Sequence, residues 1–257
     1  MIDLRRSSVL ITGGSDGIGR GLAERFLAAG AMVLVTGRSR EKLERAAQEL
    51  PALRTFVNDV SNAAEREVLA KHVHDALPTL NILINNAGVQ RRIALAADTA
   101  GWSERQQELD TLLCGPVHLN HLLVPLLVAQ PVPSLVVNVS SGGAFVPQVF
   151  APLYSACKAA IHSYTVTLRH ALANTTCRVV ELIPPRVQTS LGDAGASFGA
   201  PLADFCDSVF AEFASGVADE IGYGTTANIS RASRQELDGH FQQSAARFDV
   251  QTYARKN

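Results

Sequence analysis

Six short runs of apolar, largely β-branched residues recur along the chain: SVLITG, AMVLVTG, RTFVNDV, LNILINNAG, SLVVNVSS and RVVELIPP. Apolar residues occupy both alternating sets of positions in most of them, which predicts strands covered on both faces. Between them lie segments with helical amphipathic spacing, such as GRGLAERFLAAG and SREKLERAAQEL. Strands alternating with helices predict an α/β fold, a doubly wound parallel sheet joined by right-handed crossovers. No linker, repeat or low-complexity tract divides the chain, so residues 1–257 are read as a single domain. The pattern fades after residue 190. There SLGDAGASFGAPLADF reads as a loop, a substrate lid over about 190–216, and about 241–257 reads as a peripheral tail.

Composition narrows the functional classes. Lys plus Arg number 23 against 24 Asp plus Glu, so no net field would draw nucleic acid or an anionic membrane. The four cysteines, Cys114, Cys157, Cys177 and Cys206, have irregular spacing with no CxxC, zinc pattern or disulfide framework. That points to a reducing compartment. With no signal-peptide core in MIDLRRSSVLITGG, the reading is a soluble, cytoplasmic protein. The most apolar stretch, HLLVPLLVAQPVPSLVVNV, is cut by three prolines and is expected not to span a bilayer.

The first candidate chemistry lies where the first strand ends. TGGSDGIG, residues 12–19, follows VLI and opens a helix near Gly17. In an open parallel sheet, ligands sit beyond the carboxyl ends of the strands. Gly13 allows the sharp turn, Gly17 lets the backbone approach a pyrophosphate, and Gly19 allows helix and strand to pack closely. Free amides at the helix start then receive the phosphate charge. Ser15, Asp16 and Ile18 complete the turn, and Asp16 also reads as a helix cap. A plain tight turn needs glycines too, but the place of this one after the first strand favours a dinucleotide.

The second lies in YSACK, residues 154–158. Tyr154 and Lys158 are four apart and share a helix face. A nearby ammonium favours the phenolate and is expected to lower the tyrosine from its ordinary ~10. Such a tyrosine can exchange a proton with an alcohol or carbonyl oxygen.

Together, TGxxxGxG at 12–19, NNAG at 85–88, Ser140-Ser141 and YSACK resemble the short-chain dehydrogenase/reductase family, in its compact single-domain branch. The resemblance runs to about residue 190. It implies a Rossmann-type three-layer sandwich and an NAD(P)-dependent oxidoreductase passing hydride between nicotinamide and an alcohol/carbonyl substrate. Tyr154 is then acid/base, Ser141 holds the reacting oxygen, and Lys158 tunes Tyr154 and binds the nicotinamide ribose. Asp59 and Val60 match the adenine contacts, and Asn86, Ala87 and Gly88 match the backbone lining the ribose. Val187 and Thr189 match the carboxamide anchors, although Pro184-Pro185 replaces the family's Pro-Gly.

Cofactor choice turns on VLVTGRSR at the end of the second strand. Thr36 and Gly37 offer no carboxylate for a ribose diol, while Arg38 suits a 2′-phosphate, so NADP(H) is expected over NAD(H). The family's N-x-x-G, aligned on Gly115, puts Leu112 where an asparagine supports a lysine-bound water, and Asn120 lies too far along to replace it. That gap keeps open an alternative, a dinucleotide-binding sensor or structural partner with little turnover.

The implied partners are a small-molecule alcohol/carbonyl substrate and a homodimer or homotetramer, with no nucleic acid, membrane or metal. His118 and His121 read as packing or surface residues, and Arg91 and Arg92 as a solvated loop pair, with contact to an acidic substrate near the cleft as the alternative. Arg186 is carried as a weaker candidate, and Trp102, Phe145 and Phe150 as possible borders of the substrate pocket.

Overall fold

The computed structural model describes residues 2–191 and 198–254. Its seven strands are β1 (Ser8–Thr12), β2 (Met32–Gly37), β3 (Arg54–Val57), β4 (Ile82–Asn85), β5 (Ser134–Val139), β6 (Cys177–Ile183) and β7 (Glu220–Gly222). They form one parallel sheet in the order β3-β2-β1-β4-β5-β6-β7. The six apolar runs supply the first six strands. β7 is three residues long and too short to announce itself.

The alternation along the strands divides the core into two layers. Val9, Ile11, Val33, Val35, Ile82 and Ile84 face one side, where they meet α1 (Gly17–Ala28), α2 (Arg40–Glu49) and α7 (Leu202–Ser215). Leu10, Leu34, Leu83, Val136 and Val179 face the other. There they meet α3 (Ala63–Ala76), α5 (Gly115–Val128) and the end of α6 (Pro152–Ala171). A leucine or isoleucine fully buried from the extended chain contributes about 1.5–3 kcal/mol. Both layers hold several such residues, so the sheet is clamped from both faces.

Two expectations need correction. The lid expected over about 190–216 does not hold as one loop. Residues 192–197 lie outside the described residues, Ala200 makes a β-bridge to Val187, and Leu202–Ser215 is α7. Phe205, Cys206, Val209 and Phe213 of α7 are buried in the core, with Phe213 stacked near Phe26 of α1. The Gly- and Ala-rich flank hid this helix. The apolar stretch around Pro125 is also not cut there, since Pro125 lies inside α5. Helix α4 (Trp102–Leu109), a π-helical turn (Asp110–Cys114) and α5 run on as Trp102–Val128, long and apolar enough by composition to cross a membrane. In the fold, Leu119, Leu123 and Leu127 of this run are buried against α3 and the sheet.

The chain winds outward in both directions from β1 and β4, which are neighbours. Crossovers on opposite faces leave a crevice between the two strands' carboxyl ends. The final helix, α8 (Arg234–Arg247), buries no side chain.

Candidate active site

A cavity of about 1740 Å³ runs across the carboxyl ends of the strands. Of the residues singled out in the glycine turn, Gly13, Ser15, Asp16, Gly17 and Ile18 line it. Gly19 does not. A Cβ there would lie 2.5 Å from the Gly13 carbonyl oxygen, so Gly19 serves helix–strand packing and is withdrawn from the binding surface. Gly13 and Gly17 have φ of 66° and 54°, the left-handed region that favours glycine.

The turn is locked to NNAG. Thr12 Oγ1 accepts from the amides of Asn86 and Ala87 at 3.0 Å each. Asn86 Nδ2 donates back to the carbonyls of Thr12 and Gly13 at 2.9 and 3.1 Å. Asp16 caps α1, its Oδ1 accepting from Gly17 N at 2.7 Å. Its other oxygen accepts from Ser190 Oγ at 2.8 Å and Lys42 Nζ at 3.2 Å. Burial alone would raise this carboxyl, but the bonds from Ser190, Gly17 and Lys42 outweigh it and hold it below the usual range.

At the β2 end, Arg38 lines the cavity with Ser39 and Lys42. Ser39 Oγ caps α2 by accepting from Lys42 N at 3.2 Å, so the positive end of that helix dipole lies here too. Lys42 is a cation the sequence reading passed over. Asp59, Val60, Asn86, Ala87 and Gly88 line the same side. Thr36 Oγ1 and Asn58 Oδ1 are buried without a hydrogen-bond partner, and both residues line the cavity. Buried polar atoms call for partners. A phosphate-bearing nucleotide fits the helix ends, the glycine cradle and these two oxygens.

Ser141, Tyr154 and Lys158 line the other end; Val187 and Thr189 line the same cavity, with Thr189 against Gly17 of the glycine turn. Ser141 lies two residues beyond β5 and caps the turn Gly142–Ala144, its Oγ accepting from Gly143 N at 3.0 Å, which fixes its rotamer. Its hydroxyl is also close enough to the buried Tyr154 hydroxyl to favour the phenolate. Lys158 lies one turn along α6, its Nζ donating to the Val139 carbonyl at 2.7 Å and standing 5.7 Å from the Tyr154 ring centre. The expected lowering of Tyr154 is reversed. Burial raises the phenol, the Ser141 hydroxyl offsets this in part, and Glu108 adds to the rise. Burial also draws Lys158 down to about 8, against the favourable charge of Glu181.

Glu181 is a residue the sequence reading missed. Fully buried on β6, it accepts from Ser140 Oγ and pairs with His162 Nδ1 at 2.7 Å. It therefore braces the serine next to Ser141. No motif spacing marks it; only the sheet register brings it there.

Leu112 is buried against Ala151, Tyr154 and Cys157. It also lines a separate cavity of about 10 Å³, room for about one water, with Lys158, Thr111 and Asn85. Asn85 Nδ2 donates to Asn120 and Asn138, while its own Oδ1 is buried without a partner. Asn120 thus belongs to an amide cluster behind Lys158.

The weaker candidates sort cleanly. His118 accepts from Arg66 Nε at 3.0 Å, and among the described residues no group of three or more His, Cys, Asp or Glu could hold a metal. Arg91 pairs with Asp98 and Glu104 off the cavity wall, whereas Arg92, Arg186 and Phe150 line it. Trp102 is exposed, and Phe145 packs edge-on to His162; neither is on the wall.

Residues 7–197 match the family described as short chain dehydrogenase. The chain belongs to that family. An uncharacterized oxidoreductase, DltE of Bacillus subtilis, is 42% identical over 188 residues, 73% of this chain and 74% of that protein. Serine 3-dehydrogenase of Agrobacterium fabrum is 32% identical over 183 residues, 71% and 72% of the two chains. A Burkholderia cenocepacia short chain dehydrogenase in complex with NADP superposes with a TM-score of 0.81 at 24% identity, covering 93% of this chain and 99% of that one. This short chain dehydrogenase is accordingly an NAD(P)-dependent oxidoreductase of CH–OH groups.

Proposed function

We propose that the protein is an NADP(H)-dependent oxidoreductase acting on a small alcohol/carbonyl pair, with Tyr154 as its acid/base. The observation that carries this reading is the convergence of buried Tyr154, Ser141 and Lys158 at the end of the cavity away from the Arg38 cluster. When bound, the nicotinamide supplies or accepts the hydride.

The protein's part is proton handling and orientation. With its phenol raised, Tyr154 stays protonated at neutral pH and donates to a carbonyl oxygen as negative charge develops there. Ser141, held by Gly143 N, orients that oxygen with a hydrogen bond. The Lys158 ammonium, present below about pH 8, stabilises the phenolate left behind and is placed to hold ribose hydroxyls.

Arg38, Lys42 and the start of α2 support the choice of NADP(H), since they offer two cations and a helix dipole where NAD-selective sites place a carboxylate. Asp16 takes part of the Lys42 charge, which leaves Arg38 as the principal phosphate ligand. The substrates for which two relatives are named, serine and the sulfoacetaldehyde of a 32% identical reductase from Chromohalobacter salexigens, are small and polar, which supports a small substrate here. The intact Ser-Tyr-Lys set and the family match favour turnover over the sensor reading raised by Leu112.

The test is titration with NADPH and NADH by nicotinamide fluorescence, followed by a carbonyl panel. Tighter NADPH binding and its oxidation by a panel member are expected. Tight binding without turnover across the panel would sink the enzyme reading, and tighter NADH binding would sink the cofactor assignment.

A further inference from the structure

We infer that the substrate carries an anionic group, a carboxylate, sulfonate or phosphate, received by Arg92 and Arg247 on the wall next to Tyr154; this rests on the oxidoreductase reading. The wall is built by contacts across distant segments. Arg92 stacks on the Phe150 ring with its guanidinium carbon 4.2 Å from the ring centre. Phe150 in turn packs on Phe248, ring centres 4.4 Å apart, and Arg247 lies 5.9 Å over the Phe248 ring. All four side chains line the cavity that holds Tyr154 and Ser141, and Phe150 is four residues before Tyr154. Two planar cations are thus mounted on an aromatic pair at the reacting end.

The charge on this wall is predominantly positive. Arg231 also lines it, so three guanidinium groups stand against one carboxylate, Glu236, which accepts from the amide and hydroxyl of Ser233. Neither Arg231 nor Arg247 makes an ion pair among the described residues. Arginines off the wall differ from these two. Arg91 is paired with Asp98 and Glu104, and Arg25 with Glu24 and Asp207. A concave wall with an excess of one sign focuses its field on whatever enters, and a guanidinium can bind two oxygens of an oxyanion in bidentate fashion. Carboxylate, sulfonate and phosphate share that chemistry, so the experiment must separate them.

The experiment compares kcat/KM with NADPH for aldehydes of equal length ending in carboxylate, sulfonate, phosphate or an uncharged methyl ester. A charge-assisted contact predicts an advantage of about 10- to 100-fold for one charged member over the ester. The advantage should fall towards unity in Arg247→Gln and Arg92→Gln, after NADPH affinity has confirmed that each variant is folded. Equal rates for all four aldehydes would overturn the inference and leave the oxidoreductase reading intact. Loss of the ester rate in parallel with the charged rates would overturn the arginine assignment. The corresponding alcohols are also titrated by calorimetry into protein saturated with NADP+. If no aldehyde turns over, the oxidoreductase reading falls, and calorimetry still decides the anion site: tighter binding of a charged alcohol that Arg247→Gln abolishes supports it, and equal affinities refute it.

Discussion

The two ends of the cavity are built by different means. On the glycine-turn side, Thr12, Gly13, Asn86 and Ala87 exchange four hydrogen bonds, and a Cβ on Gly13 would come within 2.8 Å of the Ala87 backbone. On the far side, α8 contributes wall residues while burying none of its own, and its neighbourhood is held by one aromatic pair and the bond from Tyr253 to the Leu95 carbonyl. The family match ends at residue 197, before α8 and Phe248, while Arg92 and Phe150 of the same wall lie within it. A shared cofactor needs a rigid, over-determined cradle, whereas a wall that selects the substrate can be exchanged without disturbing the sheet.

The largest effect should come from the reacting end. Tyr154→Phe is expected to lower kcat about 10²- to 10⁴-fold while NADPH affinity stays near wild type. Turnover at an undiminished rate would remove the acid/base assignment and the convergence argument with it.

Breaking each end separately tests the contrast itself. Asn86→Ala leaves the Thr12 and Gly13 carbonyls short of a donor, each loss costing about 1–3 kcal/mol in a buried setting. A lower Tm and weaker NADPH binding are expected together. Phe248→Ala removes an aromatic pair of about 0.5–1.5 kcal/mol and should raise substrate KM with little change in NADPH affinity. If Phe248→Ala weakened NADPH as much as Asn86→Ala, the two ends would be one mechanical unit and the contrast would fail.

The pH profile probes the buried charges behind the serine strand. The ammonium is the form that stabilises phenolate, and burial has drawn Lys158 down to about 8, so kcat should fall as pH rises through about 8. Glu181 favours the charged form, so Glu181→Gln lowers Lys158 further and the fall should begin at lower pH. An unmoved profile with a lower Tm would assign Glu181 to bracing Ser140 alone.

These residues also mark what could be read from the chain. The strands were legible because two-sided burial leaves uninterrupted apolar runs, as in VLI and LVVNV. The glycine turn and the Tyr154–Lys158 pair were legible because their chemistry is local, set by spacing along one turn or one helix face. The roles of Glu181 and Lys42 were not. Each depends on a partner far away in sequence: Ser140 across the β5–β6 register and Asp16 across β2. The direction of the Tyr154 shift was missed for the same reason, because burial is a property of the assembled core and is the largest influence on this phenol.

Arg38→Ala tests the cofactor side at smaller amplitude. An exposed guanidinium facing a phosphate should be worth roughly tenfold in NADPH affinity, with NADH little changed, and Lys42 should soften the loss. Equal losses for both nucleotides would place Arg38 away from the 2′ position.

The smallest effect is expected at Leu112, and its sign is the informative part. Leu112→Asn sets an amide beside the roughly one-water cavity that Lys158 and Asn85 share, where Asn85 Oδ1 already lacks a partner. The same amide enters an apolar cluster with Ala151, Tyr154 and Cys157, a burial cost of about 1–3 kcal/mol unless it is hydrogen-bonded. We expect a lower Tm with kcat unchanged or modestly raised. A large fall in kcat at retained Tm would mean that the leucine seats the Tyr154 ring, so that packing here does the positioning an asparagine-held water does elsewhere in the family.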